Sequence, residues 1–166
     1  MEDFASGLYV GSYTHSLDSQ CRVSLPSEWR KRDGETSLML IPASGDALQL
    51  QPMEIFTEFV SKLRNKAVAN PKIQLALSML GAQARVCRCD KQGRISLDRA
   101  MLDGIGVGNQ LRMIGAFTHI RLCAPDKWSD ASGILSLEDC MNELQQASDE
   151  AGGLAGLLSG IVQPEK

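Results

Sequence analysis

An internal duplication constrains the fold of this chain more than any other feature. The stretch L-D-S-Q-C-R-V-S-L-P at 17–26 is echoed by C-D-K-Q-G-R-I-S-L-D at 89–98. At a spacing of 72 residues, Asp18, Arg22, Ser24 and Leu25 return as Asp90, Arg94, Ser96 and Leu97. Such self-similarity predicts that two copies of one supersecondary unit build the protein.

Each copy predicts a tight turn followed by a short strand. The turn has the form D-x-x-x-R, and alternate apolar residues then place Val23 and Leu25, or Ile95 and Leu97, on one face of a strand. In a chain of 166 residues, each half would be only marginally stable alone, because small domains bury too little surface. We therefore expect the two copies to share one core.

The remaining patterns predict further strands and several helices. Strands are predicted at 8–15, 22–25, 37–41, 47–51, 82–89, 95–97, 110–114 and 118–123. Amphipathic spacing predicts a helix over 52–68, which Asn70 and Pro71 end, and a second helix from Pro71 to Leu80 that stops at Gly81. Short helices are expected after Pro26, with Trp29 in the core, and over 98–102, and another helix over 134–144.

The net charge of −3 hides an uneven distribution along the chain. Residues 1–128 hold 16 Lys or Arg and 13 Asp or Glu, whereas residues 129–166 hold 1 and 7. The first part is therefore net basic and can carry the local positive face that phosphate binding needs. No run approaches the length of a membrane span, and the first residues lack the features of a signal peptide, so we expect a cytoplasmic protein with no membrane partner.

Nothing in the sequence predicts catalysis, a cofactor or a metal. Five cysteines without paired C-x-x-C spacing argue against disulfides and structural zinc, and Cys87 and Cys89 are best interpreted as reduced thiols. The G-I-G-V-G stretch at 104–108 lacks the lysine and the strand-to-helix context of a phosphate loop, so it predicts a plain turn. His15 and His119 have no clear partner for chemistry. We expect no small-molecule substrate and no enzymatic activity.

Arg22 and Arg94 allow two interpretations. Each can form an ion pair with Asp18 or Asp90 that stabilises its turn, which is the simpler interpretation from spacing alone. Alternatively, each can present its guanidinium group to phosphates or to a guanine edge, whose two acceptors suit arginine. The two roles are compatible, because an aspartate can hold an arginine in the orientation that DNA requires.

Other polar residues lie in or near the two turns. Gln20, Lys91 and Gln92 lie inside the turns and are candidates for polar contacts with DNA. Arg85 and Arg88 cannot share one face of a regular strand, and Arg88 is the better candidate because it lies opposite Cys87 and Cys89. The basic cluster at 30–32 is most simply a solvated helix end that contributes a weak phosphate contact.

Taken together, these motifs resemble the bacterial MraZ family. The resemblance rests on G-S-Y-T-H-S-L-D-S-Q-C-R-V-S-L-P, L-Q-L-Q-P-M-E-I-F, L-S-M-L-G-A-Q-A and D-K-Q-G-R-I-S-L, and it covers roughly residues 8–130. The family consists of duplicated domains related to the AbrB and SpoVT regulators. The resemblance implies an α+β, mainly β fold, a swapped-hairpin AbrB-like β-barrel formed from the two repeats with short helices and a helical linker.

The resemblance also implies a function and a division of the chain. The division is a first repeat at 8–54, a helical linker at 55–81, a second repeat at 82–128, and an acidic, glycine-rich, partly disordered extension at 129–166. The implied function is transcriptional regulation by a ring-shaped homo-oligomer, associated with the nucleoid, that binds direct repeats of double-stranded DNA in the promoter of the division and cell wall gene cluster. The implied DNA-binding residues are Asp18, Gln20, Arg22, Arg88, Asp90, Lys91, Gln92 and Arg94.

Two positions depart from the family pattern. The family usually has glycine before the motif arginine, which Gly93 satisfies and Cys21 does not. A side chain there is costly at a positive φ angle, so we expect a reshaped or weaker first turn. Asp98 replaces the usual proline and can serve as a helix N-cap. Cys21 and the acidic tail also prompt an alternative, an oligomeric ring scaffold that has lost DNA binding.

Overall fold

The computed structural model describes residues 7–150 of the chain. The strands in this range are β1 (Ser12–Ser16), β2 (Arg22–Ser24), β3 (Ser37–Ala43), β4 (Ala47–Pro52), β5 (Arg85–Arg88), β6 (Arg94–Ser96), β7 (Gln110–Gly115) and β8 (Ile120–Cys123). The helices are α1 (Met53–Ala69), α2 (Pro71–Gln83), α3 (Arg99–Gly104), α4 (Pro125–Ser132) and α5 (Leu137–Glu150). A single 3₁₀ turn covers Ser27–Trp29. The protein is thus α+β, with a mostly antiparallel sheet and short helices.

The strands form a six-stranded antiparallel sheet and a separate two-stranded ribbon. The order in the sheet is β1-β7-β8-β4-β3-β5, and β2 pairs with β6 in the ribbon. The pairs β1–β7, β8–β4, β3–β5 and β2–β6 each join an element from the first half of the chain to one from the second. The two halves are therefore interleaved. Among the described residues β1 and β5 remain at the edges of the sheet, and no strand pairing closes it into a barrel.

The main apolar core joins the sheet and the ribbon. Val23 and Leu25 from the first copy and Ile95 and Leu97 from the second are buried together with the inward side chains of β3, β4, β7 and β8. Trp29 is buried as expected, and its indole Nε1 donates a hydrogen bond to the Val10 carbonyl at 3.1 Å. The shared core explains how two marginal halves support each other.

Several element boundaries differ from the predicted ones. Strand β1 starts at Ser12 and not at residue 8, because Gly11 adopts a φ of 98°, which interrupts an extended strand. Helix α2 continues through Gly81 to Gln83, so β5 starts only at Arg85 and Cys89 lies beyond its end. The segment after Pro26 forms one 3₁₀ turn and no longer helix. Isolated glycines are tolerated inside helices, which is why Gly81 was a poor stop signal.

Helices α1 and α2 form a hairpin with few inward contacts. The Asn70 side chain caps α2 by accepting a hydrogen bond from the Lys72 backbone N–H, and Pro71 follows as the first helical residue. No residue of either helix is fully buried. Large apolar side chains remain about half exposed or more, and they include Ile55, Phe59, Leu75 and Met79. Apolar surface of this extent is typical of an interaction site.

The chain divides into two compact units after Trp128. In the second unit, α5 begins after Ser136, whose hydroxyl accepts from the Asp139 N–H while Asp139 accepts from the Ser136 N–H. This reciprocal cap explains why the helix starts at Leu137 and not at the predicted Ile134. The expected disorder of the extension falls partly on residues 151–166, which lie outside the described residues. Over residues 7–150, no helix combines the length and the apolar character needed to cross a bilayer.

Candidate nucleic-acid interface

The first D-x-x-x-R turn is organised by the Asp18 carboxylate. Its Oδ1 accepts the backbone N–H groups of Gln20 and Arg22, both at 2.9 Å. Its Oδ2 accepts the Nε–H of Arg22 at 2.7 Å. The backbone closes the turn, since the Asp18 N–H donates to the Arg22 carbonyl at 3.0 Å. Asp18 therefore stabilises the turn and orients the arginine at once.

The second turn repeats this arrangement. Asp90 Oδ1 accepts the backbone N–H groups of Gln92 and Arg94 at 2.9 Å, and its Oδ2 accepts the Nε–H of Arg94 at 3.1 Å. Both ion pairs considered from the sequence are present. Each uses Nε of the arginine, and within residues 7–150 no hydrogen bond to the terminal nitrogens of Arg22 or Arg94 is found. Those nitrogens are thus available to an outside acceptor.

The β2–β6 ribbon places the two arginines on one surface. Arg22 lies opposite Ser96, and Ser24 lies opposite Arg94. Because side chains alternate along a strand, Val23 and Ile95 point into the core, while the arginines and serines form the opposite face. We call this face, made of Arg22, Ser24, Arg94 and Ser96, the ribbon face. The ribbon is further joined by two matching backbone bonds, Leu25 N–H to Gly93 O at 2.8 Å and Leu97 N–H to Cys21 O at 2.9 Å.

Cys21 keeps the backbone conformation of its glycine counterpart. Its φ angle is 55°, close to the 78° of Gly93. The expected reshaping of the first turn is therefore not observed, since the turn retains the same aspartate and backbone hydrogen bonds as the second. A non-glycine residue in this region costs roughly 1–2 kcal/mol. The surrounding hydrogen bonds offset that cost.

The other predicted site residues lie beside the ribbon face. Gln20, Lys91 and Gln92 are exposed within the turns. Arg88 is exposed at the end of β5, on the face opposite the buried Cys87, and its Nε lies 3.9 Å from Glu35 Oε1. The Nε of Arg85 donates to Asp98 Oδ2 at 3.1 Å, and its Nη1 donates to backbone carbonyls at the end of the preceding helix. The Asp98 carboxylate also caps α3 through the Met101 N–H, as expected.

The cysteines and histidines are not arranged for metal binding. Cys87 is buried, and burial, with the nearby Asp98, raises the pKa of its thiol to about 11. Cys89 is half-buried in the segment after β5. In the range 7–150 no group of three or more His, Cys, Asp or Glu side chains lies close enough to hold a metal ion. The G-I-G-V-G stretch starts at the last residue of α3 and continues through the turn that follows, with Ile105 and Val107 buried.

Sequence reasoning undervalued one basic residue near the second turn. The guanidinium group of Arg30 lies directly over Gly93, where a Cβ atom would approach Nη1 of Arg30 to 2.3 Å. This contact links the segment after β2 to the turn before β6. The signal in the sequence was the combination of Gly93 with a neighbouring basic cluster, but only the fold brings the two together.

We expect the carboxyl groups of Asp18 and Asp90 to titrate below pH 3.8. The backbone N–H of Arg22 or Arg94 lowers the pKa of its aspartate most, and the arginine side chain adds to the effect. Because the pKa values are lowered in the folded state, the stability these carboxylates contribute is present above pH 3.8 and is lost as the pH falls through the folded pKa. Carboxyl ¹³C NMR titration measures both values. A pKa of 3.8 or higher for either residue would contradict this.

Known proteins named "Transcriptional regulator MraZ" match most of this chain, whereas no protein-family model matches it. The protein from Clostridium tetani is 26% identical over 123 residues, which cover 74% of this chain and 86% of the relative. The Corynebacterium jeikeium protein is 29% identical over 75% of this chain and 87% of its own length. The Lachnoclostridium phytofermentans protein is 27% identical over 87% and 98%. Relatives of one name thus match along most of this chain, which is similar over that length to the MraZ proteins that the paired turns already resemble.

Proposed function

We propose that this protein is a transcriptional regulator that binds double-stranded DNA through the ribbon face. The observation that supports this most is the placement of Arg22 and Arg94 on one surface of a two-stranded ribbon, each oriented by its own aspartate. The names of the relatives support regulation of transcription. The DNA that we propose is the set of short direct repeats in the promoter of the division and cell wall gene cluster, as the family resemblance implies.

The dimensions and the chemistry of the ribbon face suit a duplex. A two-stranded ribbon fits into the major groove of B-DNA, and arginine can donate two hydrogen bonds to the O6 and N7 atoms of guanine. With Nε held by aspartate, the terminal nitrogens remain for this contact. Gln20, Lys91 and Gln92 would then contact phosphates or neighbouring base edges from the turns, and Arg88 a phosphate beside them. Asp18 and Asp90 serve as positioning residues that do not themselves meet the anionic DNA.

We further propose that several subunits act together as a ring. The basic part of the chain carries only a small excess of positive charge, so one subunit is expected to bind weakly. Linked subunits that contact successive repeats raise the overall affinity without any new contact. The exposed apolar side chains of α1 and α2 support an interface between copies. The interleaved strand pairs support the swapped-hairpin interpretation of each subunit, with repeats at 8–54 and 82–128, a linker at 55–81 and an extension from 129. We place the activity in the cytoplasm, at the nucleoid.

A second candidate function is a ring scaffold that binds other proteins and not DNA. The observation in its favour is the same apolar surface of α1 and α2, which does not require nucleic acid. The two candidates share an assembly and differ in whether the ribbon face meets DNA. Neither proposal involves a catalytic step.

Fluorescence anisotropy with a labelled duplex tests the proposed function. The duplex carries the repeats found upstream of the gene cluster, and a shuffled duplex of the same composition is the control. We expect tighter binding to the repeats, and an affinity that falls with rising salt at a slope of roughly −0.9 for each phosphate contact. Equal binding to both duplexes, or no binding while light scattering shows an assembled ring, would favour the scaffold.

A further inference from the structure

The two D-x-x-x-R turns share a backbone but differ in their surroundings. At the second turn, the Arg30 guanidinium group covers Gly93 so closely that a Cβ atom at position 93 would lie 2.3 Å from Nη1 and 2.4 Å from Cζ. A side chain at position 93 would therefore displace the Arg30 guanidinium group, and the positive φ angle independently favours glycine there. Arg30 reaches this place from the first copy, just after the 3₁₀ turn.

Arg30 is held in place and interacts electrostatically with Glu28, but it is not locked in a close ion pair. Its Nε donates to the Leu25 carbonyl at 2.9 Å, and it takes part in no ion pair within the described part of the chain. It lines a cleft of about 490 Å³ together with Lys91, which also lacks an ion pair among residues 7–150. The acidic side chains in this cleft are Asp90 and Glu35. Asp90 forms an ion pair with Arg94, and Glu35 Oε1 lies 3.9 Å from Arg88 Nε.

Lys31 adds little free charge to this cleft. It also lines the wall, but it forms an ion pair with Glu54. The carboxylates in the wall thus have cationic neighbours of their own, whereas Arg30 and Lys91 remain available to an anion. The cleft lies next to the ribbon face, since Gly93, which lines the cleft, directly precedes Arg94.

The first turn lacks the unpaired cations of the second turn, because the corresponding residues differ. The residues 72 positions from Arg30 and Lys91 are Leu102 and Ser19. Leu102 is fully buried and cannot present a charge, and Cys21, in place of glycine, packs against the core. Arg99 lies beside the first turn, where its side chain interacts with that of Cys21, but it forms an ion pair with Asp103 and donates to the carbonyls of Val107 and Gly108. The second turn thus has an arginine outside any ion pair among residues 7–150, whereas the arginine beside the first turn is paired with an aspartate.

We propose that Arg30 and Lys91 bind a backbone phosphate of the duplex at the second turn alone, so that the two halves of each subunit hold DNA unequally. This inference rests on the proposed function. Phosphate contacts set the register and orientation of a protein on DNA. A subunit with two equal halves would bind a site equally well in either direction. The unequal halves give each subunit a direction along the DNA, which repeats arranged head to tail require.

Binding by the full chain with substituted residues tests the proposal. We expect Arg30→Gln to weaken duplex binding on the order of tenfold and to reduce the salt slope by about 1, because one charged phosphate contact is lost. Arg64→Gln, on exposed α1, removes the same charge and should change the affinity by less than about twofold. Equal effects of the two substitutions would overturn the proposal, since only the general field of the protein would then matter.

A second variant guards against loss of folding. Arg30 also donates a hydrogen bond to the Leu25 carbonyl, so thermal unfolding is measured for each variant. The second variant, Lys91→Ser, alters an exposed side chain and introduces the residue found at the same position of the first turn. Lys91→Ser should weaken binding several-fold, and Ser19→Ala should not. If both behave alike, the asymmetry is wrong. Arg94→Ala separates this proposal from the proposed function. If Arg94→Ala weakens DNA binding while Arg30→Gln and Lys91→Ser do not, only the proposed phosphate site is wrong. If none of the three substitutions weakens DNA binding, the proposed function is wrong as well.

Discussion

Replacing Ile95 with alanine is expected to lower the free energy of unfolding by about 2–5 kcal/mol. Ile95 is completely buried and lies opposite Val23 on the inner face of the ribbon. A two-stranded ribbon on its own is at best marginally stable in water, so this one depends on the side chains that it packs into the core. Loss of the side-chain carbons beyond Cβ leaves a cavity at the point where the two copies meet.

Urea denaturation followed by circular dichroism measures this change. Ser96→Ala is the matched control, because it alters the next residue on the opposite, exposed face of the same strand. Its effect on the free energy of unfolding should stay within about 0.5 kcal/mol. If the two substitutions had similar effects, Ile95 would not be holding the ribbon to the core, and the placement of both arginines would need another explanation.

Replacing Arg22 and Arg94 together with alanine is expected to weaken duplex binding on the order of 100-fold or more, since each bidentate contact with a base contributes about 1–3 kcal/mol. The fold should persist, because each turn keeps the two backbone N–H bonds to its aspartate. Discrimination between the repeats and a shuffled duplex should disappear as well. Anisotropy titrations on both duplexes measure the two effects.

A charge-matched variant separates specific contacts from general attraction. Arg64→Ala combined with Lys127→Ala removes the same two charges, and the Lys127 pair with Asp46 is exposed and of little value to stability. This variant should keep the preference for the repeats. Changing Arg22 and Arg94 to lysine should retain much of the non-specific attraction while losing the discrimination, because lysine lacks the two-pronged guanidinium group. Full discrimination by the lysine variant would rule out bidentate reading by these residues.

The candidate site was predictable from sequence wherever it depends on neighbours in the chain. The turns that hold Arg22 and Arg94 are built from hydrogen bonds spanning four residues, so D-x-x-x-R contained enough information to predict them. The alternation that buries Val23 and Ile95 was likewise visible, as was the Asn70–Pro71 start of α2. Such local signals fail where a residue type is tolerated both inside a helix and at its end. Gly81 is an example, since it lies inside the helix that it was expected to end.

The tertiary structure decided which distant segments meet. The interleaved strand order and the open edges at β1 and β5 depend on pairing between residues far apart in the chain, where the gain from burial must exceed the entropy of closing long loops. Cys21 shows the same dependence, since contacts around it hold a backbone angle that a cysteine alone would avoid.

By itself, then, the sequence determined that the protein is made of two related halves, each with an aspartate that holds an arginine. Only the fold decided that both arginines share one face and that Arg30 crosses to Gly93. The physical reason is the distance along the chain between the residues that interact. Hydrogen bonds within a turn are set by adjacent residues, whereas the unequal surroundings of the two turns arise from packing between segments that the sequence keeps far apart.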